Sequence, residues 1–324
     1  MLKPDNLALP VIAAPMFLVS GPDLLVAACK AGIVGTLPAL NQRSSEGFEA
    51  WLDTVESSLA GVEHPGYGIN LIVHKSNPRL EADLAICEQH RVPLIITSLG
   101  AVPELVARVH AWGGLVFHDV INLRHARKAA EAGVDGLIAV SAGAGGHAGT
   151  LHPFALLHEI RAFFDGKVIL SGALSNGADV AAACAAGADY AYMGTRFIAT
   201  KESQAGDDYR RMVIDSTAAD IVYTDSVSGV AANFLQPSIE NAGVDLPDRS
   251  GGHEIDFGKE LTAPEDAKAW KDIWSAGQGV GSIDDVPTVA ELVARMQGEF
   301  ADAAGRLSHW AAKRVPNQVH EPDA

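Results

Sequence analysis

The sequence predicts an α/β protein folded as a closed (β/α)₈ TIM barrel, on the strength of three observations. Eight short apolar runs alternate with longer segments of helical period within the first 200 residues. These runs are continuously apolar rather than alternating, which is typical of parallel strands buried on both faces. The first run is not followed by a G-x-G-x-x-G turn, which argues against the alternative of a doubly wound open sheet.

Each strand and helix can be placed along the chain. The predicted strands are 11–14, 33–37, 67–71, 92–98, 114–119, 136–140, 167–171 and 188–193. The predicted helices are 22–31, 48–59, 79–90, 102–111, 123–132, 154–164 and 177–186. Gly32 directly follows the first helix, where a glycine commonly serves as a C-cap.

The pattern loosens beyond the eighth strand. Residues 200–280 contain pieces rich in Gly, Pro and Asp, such as 247–252, and we expect them to form an excursion over the barrel mouth. Helices at 286–296 and 301–312 are predicted to close the fold. We therefore expect residues 1–200 to form the barrel core and 201–324 to form a C-terminal excursion and helices that pack on the same domain.

Composition restricts the class of partner. The 324 residues include 48% hydrophobic and 20% charged residues, which is ordinary for a globular protein with a substantial core. The net charge of −16 argues against nucleic acid or an anionic membrane as the main partner. We find no signal-peptide pattern, no apolar run long enough for a membrane span and no metal-binding cysteine spacing, so a cytoplasmic protein without a metal site is expected.

A glycine-rich turn with a histidine follows the sixth predicted strand, in the segment Val140-Ser141-Ala142-Gly143-Ala144-Gly145-Gly146-His147-Ala148-Gly149. Glycines without a Cβ allow a ligand to approach the backbone closely. His147 among them can accept or donate a proton near neutral pH. The alternative is a flexible turn with an incidental surface histidine.

The loops after the eight strands share one face of a barrel, which is where barrel enzymes keep their active sites. The loops after the seventh and eighth strands, Ser171-Gly172-Ala173 and Gly194-Thr195, are small and carry hydroxyl groups. A phosphate group commonly binds between these two loops, although two tight turns would need the same glycines. Asp119, after the fifth strand, fits either a ligand-directed role or a capped turn.

Six short motifs together resemble the nitronate monooxygenase family, formerly called 2-nitropropane dioxygenases, from about Leu9 to Met296. They are Ala14-Pro15-Met16, Gly68-Ile69-Asn70, Ala144 to Gly149, Ser171-Gly172-Ala173, Met193-Gly194-Thr195-Arg196-Phe197 and Ala276-Gly277-Gln278-Gly279. The resemblance implies an FMN-dependent barrel, with FMN in the 1–200 core, that acts on a small-molecule substrate and O₂. A homo-oligomer is compatible with it.

The resemblance also implies roles for single residues. Pro15, Met16 and Asn70 would contact the flavin ring, and Gln278 would support it from the C-terminal segment. Gly146, Gly172, Gly194 and Thr195 would hold the ribityl-phosphate end. His147 would be the catalytic base for a nitroalkane, or the electrostatic partner of an anionic nitronate, with a carbonyl compound and nitrite as products. The remaining cofactor-binding candidates on this face are Thr97, Asp119, Ala144, Ser171, Ala173 and Gly279.

Two residues depart from the family pattern. Many members have a glutamate where this chain has Gly143, and many have a lysine after the fifth strand, where this chain has Asp119. Both departures remove a charged side chain from the expected flavin surroundings, and Asp119 reverses its sign. Two alternatives therefore stay open: an FMN-dependent NAD(P)H:quinone or enoyl-thioester reductase, and a non-catalytic flavin-binding protein.

Overall fold

Eight parallel strands form the barrel that the sequence predicts. The computed structural model describes residues 2–227, 229–244 and 273–314. The strands in chain order are β1 (Val11–Ala13), β2 (Gly35–Pro38), β3 (Tyr67–Ile72), β4 (Leu94–Ser98), β5 (Leu115–Val120), β6 (Gly136–Val140), β7 (Gly146–His147), β8 (Lys167–Ser171) and β9 (Tyr190–Met193). All except β7 belong to the barrel sheet, in the order β1-β9-β8-β6-β5-β4-β3-β2.

A single bridge between Ile12 and Val34 closes this sheet into a ring. The N–H of Ala13 donates to the carbonyl of Val34 (2.9 Å), and the N–H of Val34 donates to the carbonyl of Val11 (3.0 Å). The first strand thus pairs on one side with the last barrel strand and on the other side with the segment before β2. The barrel fold is confirmed.

Helices cover the outside of the barrel. They are α1 (Pro22–Lys30), α2 (Ser45–Leu59), α3 (Leu80–Gln89), α4 (Pro103–Ala111), α5 (Leu123–Glu131), α6 (Pro153–Arg161) and α7 (Gly177–Ala185). Several begin with side-chain caps: Asn122 accepts from the N–H of His125 (2.9 Å), and Asn176 accepts from the N–H of Asp179 (2.9 Å). Pro103 and Pro153 occupy the first turns of their helices, where the missing N–H has no cost.

Neighbouring residues of each strand face opposite sides of the barrel wall. Side chains that fill the interior come from alternate positions: Ile12, Leu94, Ile96, Phe117, Ile138, Ile169 and Tyr192. The positions between them pack against the helices: Ile95, Val116, Leu137, Val168 and Leu170. Both faces are buried, which explains why the strands read as continuous apolar runs.

One long helix replaces the two that are predicted at 286–296 and 301–312. α11 (Val289–Arg314) runs through the gap between the helices predicted at 286–296 and 301–312. It lies on the side of the barrel rather than over the mouth, because its apolar stripe meets the outer face of β1 and β9 together with α1 and α7. That stripe is Val289, Leu292, Val293 and Met296, which cluster with Val11, Ala28, Val180 and Met193.

The chain between the last barrel strand and α11 forms the excursion. Its elements are α8 (Thr195–Ile198), α9 (Asp207–Asp215), β10 (Ile221–Thr224), β11 (Ala232–Leu235) and α10 (Gln236–Asn241). Residues 245–272 of the predicted excursion, including 247–252, lie outside the described residues. Among the described residues, no helix is both long and apolar enough to cross a membrane.

Candidate active site

The glycine–histidine turn is an edge of a small sheet above the barrel. β7 pairs antiparallel with β11, which pairs antiparallel with β10, so that Gly146 lies opposite Asn233 and His147 opposite Ala232. Two side chains of this sheet hold the turn on either side of the histidine. Asn233 Nδ2 donates to the carbonyl of Ala144 (2.6 Å), and the Tyr223 hydroxyl donates to the carbonyl of Ala148 (3.0 Å). The excursion therefore fixes the position of His147 at the carboxyl ends of the strands.

The loops after β6, β8 and β9 lock together with residues 276–279. The carbonyl of Gly143 accepts from the N–H groups of Gln278 (2.9 Å) and Ala173 (3.3 Å). The Thr195 hydroxyl accepts from the N–H of Gly277 (2.8 Å), and the Ser175 hydroxyl donates to the carbonyl of Gly279 (2.8 Å). The structure thus joins the three loops and the C-terminal motif into one hydrogen-bonded cluster.

Gly143 has a geometric reason to be a glycine. Its φ is 83°, in the left-handed region that residues with a Cβ rarely adopt. A Cβ at this position would lie 3.0 Å from Oε1 of Gln278 and 3.3 Å from Cβ of Ala173. The side chain of Gln278 occupies the space beside the position where many family members carry a glutamate. A side chain at this position would therefore strain the backbone and require Gln278 to move.

Asn41 holds the loop after β1, which carries Pro15 and Met16. Its Nδ2 donates to the carbonyls of Met16 (3.0 Å) and Ser20 (2.7 Å), and its Oδ1 accepts from the N–H of Leu18 (3.0 Å). A Cβ at Gly194 would lie 3.4 Å from Sδ of Met16, so the loops after β1 and β9 are in contact. The predicted motifs Ala14-Pro15-Met16 and Met193 to Phe197 therefore meet at one edge of the barrel mouth.

A chain of three polar side chains lines the inside of the barrel near the strand ends. Asn70 Nδ2 donates to Ser98 Oγ (2.9 Å), and Ser98 donates in turn to Oδ2 of Asp119 (2.6 Å). The other carboxylate oxygen, Oδ1, is buried and has no hydrogen-bond partner among the described residues. Burial raises the pKa of Asp119 to about 6, opposed by the Ser98 hydrogen bond.

Thr97 does not join this chain. It lies at the position between Ile96 and Ser98, so its side chain faces the helices, where its hydroxyl is 2.7 Å from Nδ1 of His118. His118 is likewise buried on the outer side of β5. The structure therefore separates the hydroxyl of Thr97 from the other predicted site residues, and Ser98 takes the inward position.

The partial burial of His147 affects its protonation. Removal of the imidazole from water lowers its pKa to about 4, because the charged form loses its hydration. The ring is therefore neutral at pH 7. A neutral imidazole can accept a proton, whereas an electrostatic partner for an anion would need the imidazolium form.

Three residues of this face were not predicted: Asn41, Tyr223 and Asn233. Ser98 ends the predicted strand 92–98, so the sequence already placed it on this face, although it was not one of the cofactor-binding candidates. The other three act through hydrogen bonds to backbone carbonyls of distant loops, and no local pattern marks such contacts.

The barrel, the polar strand ends and the half-buried histidine define a (β/α)₈ enzyme whose active site is built from the loops after the strands. The sequence model of the nitronate monooxygenase family matches residues 67–299. The chain belongs to this family, which is a class of flavin-dependent oxidoreductases.

Individual proteins agree with this assignment. A nitronate monooxygenase of Paraburkholderia phytofirmans is 29% identical, with 93% of this chain and 95% of that protein aligned. A (3aS,4S,5R,7aS)-5-hydroxy-7a-methyl-1-oxo-octahydro-1H-indene-4-carboxyl-CoA dehydrogenase of Rhodococcus jostii is 25% identical over 94% of this chain and 96% of its own. The structure of a nitroalkane oxidase from Streptomyces ansochromogenes superposes with a TM-score of 0.80 at 25% identity, covering 94% and 99% of the two chains.

Proposed function

We propose that the protein is an FMN-dependent enzyme that oxidises alkyl nitronates or nitroalkanes with O₂ to a carbonyl compound and nitrite. The observation that carries this proposal is the placement of His147. It is neutral, half-buried and held by the β10-β11-β7 sheet at the strand ends, directly beside the interlocked glycine loops. Membership of the nitronate monooxygenase family supports the same reaction class.

The residues present are suited to FMN. A Cβ at Gly146 would meet no heavy atom of the described residues within 4 Å, so this glycine borders open space rather than protein. The buried oxygen Oδ1 of Asp119 faces the barrel interior and awaits a donor. We assign Gly146, Gly172, Ala173, Gly194 and Thr195 to the ribityl-phosphate end.

The flavin ring would have its own set of contacts. These are Pro15, Met16, Asn70, Ser98, Asp119, Gln278 and Gly279. Ala144 and Ser171 would support the loops instead. The carbonyl of Ala144 accepts from Asn233, and the carbonyl of Ser171 accepts from the Ser141 hydroxyl. Bound FMN would supply the transfer of electrons from the nitronate to O₂.

His147 would act on the nitroalkane form of the substrate. Its neutral imidazole accepts the proton from the α-carbon. The electron pair of the broken C–H bond then delocalises onto the nitro group. The proton stays on the ring, where burial disfavours it, so that it leaves readily to solvent or product. An already ionised nitronate needs no such step.

One experiment tests the proposal. The purified protein is reconstituted with FMN, and its visible spectrum is followed after anaerobic mixing with propyl nitronate or, separately, with NADH. We expect rapid bleaching of the flavin absorbance by the nitronate. Bleaching by NADH but not by the nitronate would overturn the proposal, and so would a protein that cannot be loaded with FMN.

A second candidate is a flavin-dependent NAD(P)H reductase of quinones or enoyl thioesters. The observation that favours it is an apolar rim on loops that follow β1 and β4: Phe17, Leu18 and Leu99 are each 44–45% exposed. Such side chains suit a large apolar substrate better than a short nitroalkane. The relative from Rhodococcus jostii is named as a dehydrogenase of a carboxyl-CoA compound. The NADH arm of the same experiment decides between the two.

A further inference from the structure

The Asn70–Ser98–Asp119 chain has no role in the proton transfer assigned to His147. Its three members come from β3, β4 and β5 and all face the inside of the barrel. Each hydrogen bond points the same way, from the Asn70 amide to the Ser98 hydroxyl and from that hydroxyl to the carboxylate of Asp119. One carboxylate oxygen of Asp119 therefore accepts a hydrogen bond from this chain, and the other oxygen is left free to bind a ligand.

The second oxygen has no satisfactory environment in the protein alone. Oδ1 is buried and receives no hydrogen bond from the described residues. Within the same residues, no lysine, arginine or histidine contributes to the pKa shift of Asp119, which has burial as its largest cause. Burial raises the pKa of Tyr192, and the nearby carboxylate of Asp119 raises it further, so the tyrosine stays neutral. A buried acceptor without a donor is costly, and a ligand that donates would relieve the cost.

We propose that Asp119 is the residue that sets the charge preference of the bound flavin: Oδ1 accepts from the N–H of the flavin pyrimidine edge, and the carboxylate opposes the negative charge that the ring gains on reduction. This inference rests on the FMN binding proposed above. The pyrimidine edge presents one N–H between two carbonyl groups. A single carboxylate oxygen is enough to accept the hydrogen bond from that N–H. Ser98 and Asn70 keep the carboxylate oriented and favour its ionised form.

The consequence is a flavin that is harder to reduce than it would be beside a neutral side chain. Two like charges close together in a site shielded from water repel each other more strongly than in solvent. Reduced FMN should therefore bind less tightly relative to oxidised FMN than it would without the charge. Ser98 should contribute to the same effect, because its hydrogen bond favours the ionised carboxylate.

The test uses the full-length protein and needs no nitronate. The dissociation constants of oxidised and reduced FMN are measured for the wild type, Asp119→Asn and Ser98→Ala, together with the midpoint potential by equilibration with a reference dye. Asp53→Asn, on the exposed side of α2, removes the same charge far from the mouth and serves as the matched control.

We expect Asp119→Asn to tighten the binding of reduced FMN relative to oxidised FMN at least tenfold, which corresponds to a rise of about 30 mV in the two-electron potential. Ser98→Ala should shift the ratio in the same direction by less, and Asp53→Asn should not shift it. If Asp119→Asn does not fold, Ser98→Ala alone decides. An unchanged ratio, or a shift the other way, would overturn the inference.

The outcome also separates this inference from the proposed function. A wild-type protein that binds FMN and shows the Asp119 effect, yet does not oxidise nitronates, would refute the proposed reaction and leave the inference standing. A wild-type protein that binds no FMN would overturn both.

Discussion

Gly143 shows how one backbone angle can exclude a functional group. Its φ of 83° and its contact with Gln278 account for a glycine at the position where many relatives carry a glutamate. The carboxamide of Gln278 now occupies the neighbouring space, so the polar character of this corner is kept without the charge.

A substitution at Gly143 should therefore be costly. We expect Gly143→Ala to lower the free energy of unfolding by about 1–2 kcal/mol, since an L-residue is disfavoured in the left-handed region, and Gly143→Glu to lower it further. Gly298→Ala is the control, because this exposed glycine lies inside α11 and a Cβ there meets no described atom within 4 Å. It should raise the free energy of unfolding by about 0.5–1 kcal/mol. Urea denaturation measures both, and equal effects of the two substitutions would contradict this account.

The pH dependence of turnover reports the state of His147. Because burial lowers the pKa of this histidine to about 4 in the protein without ligand, the ring is deprotonated at pH 6–8 and competent as a base. In Asp119→Asn, which lacks the carboxyl group whose pKa burial raises to about 6, we expect kcat/KM for a nitroalkane to be flat from pH 5.5 to 8 and to fall only as the pH is lowered towards the pKa of His147. His147→Gln should reduce this kcat/KM by about 10²–10⁴, the usual contribution of a general base, and should affect a preformed nitronate much less.

Two results would count against a neutral His147. One is an acid limb centred near pH 6.5, which is the pKa of an exposed histidine. The other is an equal loss on nitroalkane and nitronate in His147→Gln, which would point to an electrostatic role instead. His158→Ala, on the exposed side of α6, should leave the profile unchanged and serves as the control.

At the scale of elements, two C-terminal parts add contacts that the repeated βα units lack: the hairpin of β10 and β11, and the helix α11. The hairpin supplies the neighbours of β7 and thereby gives His147 a fixed backbone. The helix covers the outer face where β1 and β9 meet, a place that none of α1 to α7 covers on its own. The position of His147 and the cover over β1 and β9 thus depend on separate parts of the C-terminal segment.

Two leucines of α11 allow the contribution of that packing to be measured. Leu292 is 1% exposed in the cluster with β1 and β9, whereas Leu307 on the same helix is 52% exposed. We expect Leu292→Ala to lower the free energy of unfolding by about 2–5 kcal/mol, because it leaves a cavity in the core. Leu307→Ala should change it by no more than about 0.5 kcal/mol. Equal losses in the two variants, measured by guanidinium denaturation, would show that the helix is not anchored through its first half.

At the scale of the whole molecule, the barrel could be predicted because its signal repeats. Eight apolar runs, the first seven of them each followed by a helix, indicate the number of strands, and their burial on both sides indicates that the strands are parallel. Because both sides of a strand are buried, the sequence does not show which side a residue faces. One side of Ile95-Ile96-Thr97-Ser98 carries Ile95 and Thr97 and the other carries Ile96 and Ser98, so the inward hydroxyl could not be identified from the pattern. The bond from Asn233 to Ala144 joins loops that are distant along the chain, and the sequence carries no local mark of it.

The helix α11 was predicted as two helices for a related reason. Gly298 suggests a break between two helices, since glycine weakens a helix interior. The apolar stripe before it is anchored on the barrel, and this tertiary packing carries the helix through the glycine.

The meeting of β1, β9 and α11 also has a consequence for the newborn chain on the ribosome. At about 5–20 residues per second, synthesis of this chain takes on the order of tens of seconds, and β1 emerges at the beginning of that interval. Its partner β9 (Tyr190–Met193) is made only after more than half of the chain, and α11 follows near the end, so the edge of β1 that pairs with β9 stays open for more than half of translation. During that time this open sheet edge can pair with other chains.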